Sequence, residues 1–153
     1  EIRLSLVGSE MCIRDSFMNR EEERTVSLDL MELNQYTGEC HFYKCGASAS
    51  YWIRHGQIHE IAADRQPLGL SSVPSEFDEV LYLESGDTVI LISDGIAEEF
   101  YERPELLRAG MERLKTENPT DLATGILELA VKAAGAIRDD MTVLVVSLYQ
   151  EDN

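Results

Sequence analysis

The run Thr88-Val89-Ile90-Leu91-Ile92 carries apolar side chains at odd and even positions alike. Successive residues of a strand point to opposite faces, so a strand built from this run has to be covered on both. That calls for a further layer on each side, as in a sandwich or a sheet lying beneath helices. With 153 residues and 44% hydrophobic content, the chain has the material for one domain with a real core.

Upstream of that run, period-two patterning dominates. Val26, Leu28 and Leu30 alternate with Ser27, Asp29 and Met31, which predicts a strand. Tyr36-Thr37-Gly38-Glu39 offers a glycine turn and His41-Phe42-Tyr43-Lys44 the return strand, so the pair reads as a β-hairpin. The same arrangement recurs in Ala49 to Arg54, His55-Gly56-Gln57 and Ile58 to Ile61. Pro67-Leu68-Gly69-Leu70 reads as a loop, and Glu84-Ser85-Gly86-Asp87 joins the apolar segment Val80 to Leu83 to the buried run.

Downstream, the period lengthens. Pro104 opens a helical stretch with Leu107, Met111 and Leu114 on one face. Asn118-Pro119 reads as an N-cap and first-turn proline, with Asp121 near the positive end of the helix. Leu122, Ile126, Leu129 and Ala130 form its stripe, Gly135 can end it, and Met141 to Leu148 is a last β-rich run. Antiparallel strands, then two helices, then one strand predict an α+β domain with helices laid on a sheet.

Twenty-nine acids against 13 bases give a net charge of −16. Such a surface repels nucleic acid and anionic lipid, and it suits divalent cations or a basic protein surface. It is equally what a soluble protein needs to stay dispersed. Cys12, Cys40 and Cys45 have no zinc-type spacing; Cys40 and Cys45 fall on or beside a predicted strand and read as reduced, packed thiols. No apolar run approaches the roughly 18 residues of a membrane helix. The expectation is a soluble segment compatible with a reducing cytoplasm.

Residues 5–16, Ser5 to Ser16, resemble a reading-frame translation of a transposon adapter used in sequencing libraries. They show neither strand alternation nor a sustained helical stripe. Residues 1–16 are set aside as non-native, leaving 17–153 as the domain segment. The excluded stretch holds three acids and two bases, so the acidic balance survives.

Two clusters can carry chemistry. Asp94-Gly95 follows the buried run, and Asp139-Asp140 precedes the last apolar run. Carboxylates at the ends of adjacent strands can face each other and offer hard oxygen ligands to a divalent ion. Gly95 permits a tight turn and a close backbone approach. On spacing alone, an ordinary Ser-Asp-Gly turn and a solvated loop aspartate are the stronger reading. His41, His55 and His59 read as cross-strand surface residues, Trp52 with Tyr43 and Tyr51 as sheet packing, and Glu98-Glu99 as a solvated loop.

Leu91-Ile92-Ser93-Asp94-Gly95-Ile96 resembles the hydrophobic-strand-then-Asp-Gly motif of the metal-dependent PPM (protein phosphatase 2C-like) phosphatases. Arg138-Asp139-Asp140-Met141-Thr142 followed by Val143-Leu144-Val145-Val146 resembles that family's closing motif. Gln66-Pro67-Leu68-Gly69 is similar to a loop of its bacterial branch, and the Tyr36-Thr37-Gly38 hairpin and Gly46-Ala47 step fit in order. The resemblance runs from about Arg24 to Leu148 and is nearest the stage II sporulation protein E branch.

It implies a PPM-type fold, an antiparallel β-sandwich flanked by helices, of which this chain is the C-terminal part. Asp94 and Asp139 then correspond to metal-ligating aspartates, supported by Gly95 and by Asp140, which takes the place of the family's Asn or Asp. Two Mn²⁺ or Mg²⁺ ions would activate a water for in-line attack on phosphoserine or phosphothreonine, without a covalent phosphoenzyme. The family's earlier Asp-Gly pair has no counterpart, because Asp-Gly occurs here once. The first half of the site is therefore expected upstream, and the chain alone is expected to be inactive. The implied substrate is a phosphorylated anti-anti-sigma-type protein, in sporulation or sigma-factor control. A stress-response phosphatase of the same family and a non-catalytic phosphatase-like binding module are the alternatives. No nucleic acid partner is expected, and membrane contact only through upstream segments.

Overall fold

Seven strands and three helices make up the described part of the computed structural model, residues 25–62, 66–68, 79–136 and 138–149. The stretch 1–16, Cys12 and Gly69-Leu70 lie outside it. Strands β1 (Leu28–Leu33), β2 (Glu39–Cys45) and β5 (Glu79–Tyr82) form one sheet in the order β1-β2-β5. Strands β3 (Ser50–Arg54), β4 (Gln57–Ile61), β6 (Thr88–Ile92) and β7 (Val143–Ser147) form a second, ordered β4-β3-β6-β7. All pairings are antiparallel.

Both hairpins read from the sequence are present. In the first, Leu33 faces Cys40 and the turn places Gly38 at φ 72°, a conformation that favours glycine. The second pairs Arg54 with Gln57. β1 begins two residues later than the alternation from Val26 suggested, because Val26 makes a separate bridge to Leu68, with paired backbone bonds of 3.1 and 2.9 Å.

The link Glu84 to Asp87 carries the chain from one sheet to the other, since β5 pairs with β2 whereas β6 pairs with β3 and β7. Asp87, buried at this crossover, accepts from Arg54 of β3 (Nε to Oδ1, 3.0 Å) and from the Glu84 amide (2.8 Å). Burial alone would raise the Asp87 carboxyl, but these hydrogen bonds outweigh it and hold it below its ordinary range. Arg54 also donates to the Tyr82 carbonyl (2.7 Å) and lies 4.6 Å from the Trp52 ring centroid.

β6 explains why its sequence has no polar face. Val89 and Leu91 join Cys40, Phe42, Ile61 and Leu83 in a core between the sheets. Ile90 and Ile92 point the other way, into a core with Tyr51, Ile96, Leu107 and Ile126. The helices α2 (Pro104–Leu114) and α3 (Pro119–Ala134) close that second core through Leu107, Met111, Leu122, Ile126 and Ala130. Each begins with a proline, and the Asn118 side chain caps α3 by accepting from the Thr120 (2.9 Å) and Asp121 (3.4 Å) amides. Gly135, at φ 65°, ends it.

Cys40 and Cys45 are buried and not joined in a disulfide, and burial pushes the Cys40 thiol up to about 12. One buried group was not foreseen. The Lys44 side chain is fully buried, with Nζ 2.8 Å from Ser50 Oγ and 2.7 Å from Asp29 Oδ1; the Asp29 contact is ionic rather than a directed hydrogen bond. It ties β1 and β2 to the first residue of β3 across the two sheets. Among the described residues, no helix is long and apolar enough to cross a membrane.

Candidate metal centre

Asp94 directly follows β6 by one residue, and Asp139-Asp140 lies just ahead of β7, which pairs with β6 from Ile92↔Val143 to Thr88↔Ser147. The two segments therefore leave the same end of adjacent strands. Asp94 does not sit in a bare turn as the Ser-Asp-Gly triplet suggested. It opens a short helix, α1 (Asp94–Ala97), which continues as a 3-10 turn, Glu98–Phe100. Glu98-Glu99 belong to that turn and not to a loop. Physically, Ile96 and Phe100 are drawn into the helix-side core, and a helical path brings both to it.

Each acidic segment is pinned by an apolar residue two positions on. Ile96 is fully buried, and Met141 packs against the same core. The aspartates are thus held on anchored backbone while their side chains stay exposed. One oxygen of each carboxylate accepts from the next amide: Gly95 N to Asp94 Oδ1 at 3.0 Å, and Asp140 N to Asp139 Oδ1 at 2.8 Å. These bonds orient the carboxylates and leave the second oxygen of each for a ligand.

The two segments touch through Gly95. A β-carbon added there would stand 2.4 Å from the Asp140 carbonyl oxygen and 3.4 Å from Asp139 Cβ. No side chain larger than hydrogen fits without displacing the Asp139-Asp140 backbone. Ser93 adds the closure that sequence reasoning missed. Its amide donates to the Thr142 carbonyl (3.0 Å), its hydroxyl accepts from the Thr142 amide (2.9 Å) and donates to the Asp140 carbonyl (3.1 Å). Nothing local in the sequence marks Ser93, because its partners are 47 and 49 positions away.

The segments carrying Asp94 and Asp139, separated by 45 positions, are therefore brought beside each other, with Gly95 and Asp140 forming the contact between them. Exposed carboxylates on an anchored backbone fit a hard divalent cation in the chemistry of their donors. Among the described residues, no group of three or more His, Cys, Asp or Glu could hold a metal ion. The histidines lie elsewhere: His41 Nε2 is 3.0 Å from Glu39 Oε1, and His59 stacks beside Trp52 at 4.9 Å between centroids.

The fold matches known proteins. Stage II sporulation protein E of Bacillus subtilis (strain 168) is 32% identical over 155 residues, covering 97% of this chain. The chain spans only 18% of that relative's length. The structure of the PP2C phosphatase domain and a fragment of the regulatory domain of the same Bacillus subtilis protein superposes with a TM-score of 0.80. That match is at 29% identity and covers 90% of this chain and 43% of that one. The catalytic domain of the serine threonine protein phosphatase PstP, in complex with two manganese ions, shares the fold at TM-score 0.70 and 18% identity, over 91% of this chain and 66% of that one. The expected α+β PPM-type architecture is therefore the observed one. The family model for stage II sporulation protein E matches residues 12–149, and the chain belongs to that family.

Proposed function

We propose that this chain is part of a metal-dependent protein serine/threonine phosphatase, in which Asp94 and Asp139 are ligands to Mn²⁺ or Mg²⁺. The observation that carries the reading is the contact of Gly95 with the Asp139-Asp140 backbone, which brings together the two segments that bear exposed carboxylates. The manganese-bound relative of the same fold supports the choice of ion. When bound, such ions acidify a water and neutralise charge that develops on the phosphoryl oxygens.

The chain's own residues supply the frame for that chemistry. Asp94 and Asp139 hold negative charge at fixed positions, and their amide-bonded oxygens limit side-chain rotation. Gly95 keeps the two segments in contact, and Asp140 contributes its backbone carbonyl to Ser93. Further acidic ligands come from the rest of the parent protein. Family membership supports a phosphoserine or phosphothreonine substrate; the carrier we propose is a regulatory protein of the anti-anti-sigma type, in sporulation or sigma-factor control.

The test is a set of three variants in the full-length parent, assayed on a phosphoserine protein with Mn²⁺. Asp94→Asn and Asp139→Asn are expected to abolish hydrolysis, and a chelator to do the same to the wild type until Mn²⁺ is restored. Asp140→Asn is expected to be mild. Equal damage from Asp140→Asn and Asp139→Asn would move the ligand assignment to the neighbour. Wild-type activity in all three, with intact folds, would return these residues to the role of turn formers.

A further inference from the structure

A serine immediately ahead of a helix ordinarily caps it, its oxygen accepting from an amide of the first turn. Ser93 occupies the N-cap position of α1 and makes no side-chain cap bond. Its hydroxyl is turned across the sheet instead, to the segment ahead of β7. There it accepts from the Thr142 amide at 2.9 Å and donates to the Asp140 carbonyl at 3.1 Å. A hydroxyl has one proton, and here it goes to the loop that carries the opposite aspartate.

The location gives this bond its consequence. The β6–β7 ladder ends at Ile92↔Val143, and beyond it the backbones continue to Asp94 on one side and back to Asp139 on the other. Ser93 continues the pairing by one residue, through its own amide to the Thr142 carbonyl at 3.0 Å. The hydroxyl then reaches two residues further back along the partner, to Asp140. Backbone pairing of the two strands does not reach the carbonyl of Asp140, so the hydroxyl fixes what the ladder leaves loose. Val143 and Met141 hold the partner from the core side, and Ser93 holds it from the sheet end.

We propose that Ser93 is the positioning residue of the metal centre, setting the separation of Asp94 and Asp139 through the Asp140 carbonyl and the Thr142 amide. The inference rests on the metal-ligand reading of the two aspartates and deepens it. Groups that orient ligands without touching the ion typically change metal affinity by about 10–100-fold when removed. A serine that merely finished the strand ladder would alter stability and leave affinity for the ion unchanged.

The experiment uses the full-length parent, with Mn²⁺ alone as the probe, in direct binding titrations alongside thermal melts. Ser93→Ala is expected to raise the Kd for Mn²⁺ by about tenfold or more, and to speed hydrogen exchange at the Thr142 amide. Ser93→Thr, which keeps the hydroxyl, is expected to restore both. Ser93→Cys keeps the volume with a weak donor and gives the same reading if the alanine variant does not fold. Asp94→Asn and Asp139→Asn run in parallel. If they lose Mn²⁺ while Ser93→Ala binds it as the wild type does, this inference falls alone. Should both aspartate variants bind Mn²⁺ normally, the metal reading falls and takes this inference with it.

Discussion

The α-carbon of Gly95 sits so close beneath Asp140 that a methyl group there would stand 2.4 Å from the Asp140 carbonyl oxygen. The obstacle is backbone and cannot rotate away. Gly95→Ala must therefore push the segments of Asp94 and Asp139 apart. In the full-length parent we expect kcat/KM to fall by about a hundredfold, the usual effect of misplacing a reacting group by about 1 Å. A stability loss of about 1–3 kcal/mol in chemical denaturation should accompany it. Wild-type rates in Gly95→Ala would show that the spacing of the segments does not matter.

Local features of this fold were legible in the sequence, and relationships between distant segments were not. The hairpins at Gly38 and Gly56, the cap at Asn118 and the stop at Gly135 each depend on residues a few positions apart. The crossover at Glu84 to Asp87 was invisible, because four polar turn residues look the same whether a chain returns beside its neighbour or leaves for another sheet. The two aspartate segments could be named from their motif resemblance. Ser93 could not, since a serine before Asp-Gly signals only a turn until β7 is laid beside it. Lys44 escaped for a statistical reason: lysine is almost never fully buried unless paired, and its partners Asp29 and Ser50 come from different strands.

That buried lysine gives a second prediction. Lys44→Met keeps the apolar stem but strands the Asp29 carboxylate against a core with no cation. A loss of about 3 kcal/mol is expected from denaturant melts. Replacing both partners, Lys44→Met with Asp29→Leu, should cost clearly less than the single change. A double variant as unstable as the single one would mean that packing, and not the unpaired charge, sets the loss.

A third prediction concerns acid. The folded pKa of Asp87 lies below its ordinary 3.8. Its contribution to stability is thus complete above that value and drains away as pH falls through the lower folded pKa. Asp87→Asn should remove about 1.5–3 kcal/mol at pH 7. Its penalty relative to wild type should shrink as pH is lowered below about 4. A pH-independent gap between the two proteins would point to shape and not charge at this crossover.

Thiol chemistry offers a fourth. Cys40 is fully buried, and with its thiol pushed up to about 12 it carries almost no thiolate at neutral pH. Alkylation of Cys40 in the native protein should be undetectable by peptide mass mapping over hours at pH 8, and prompt in denaturant. Rapid native labelling would mean that the core between the sheets opens readily.

The order of the strands along the chain has a consequence for when its two aspartate segments can first meet. β6 finds β3 some 35 positions upstream, but its other neighbour, β7, is 59 positions on at Thr88↔Ser147. Pairings that distant close large loops and form late in folding. Asp94 emerges from synthesis before Asp139, and their segments cannot meet until β7 has docked on β6. A nascent chain could thus hold β6 paired with β3 and still lack the Asp139 segment beside Asp94, so that synthesis order alone keeps the two carboxylate segments apart until β7 has been made.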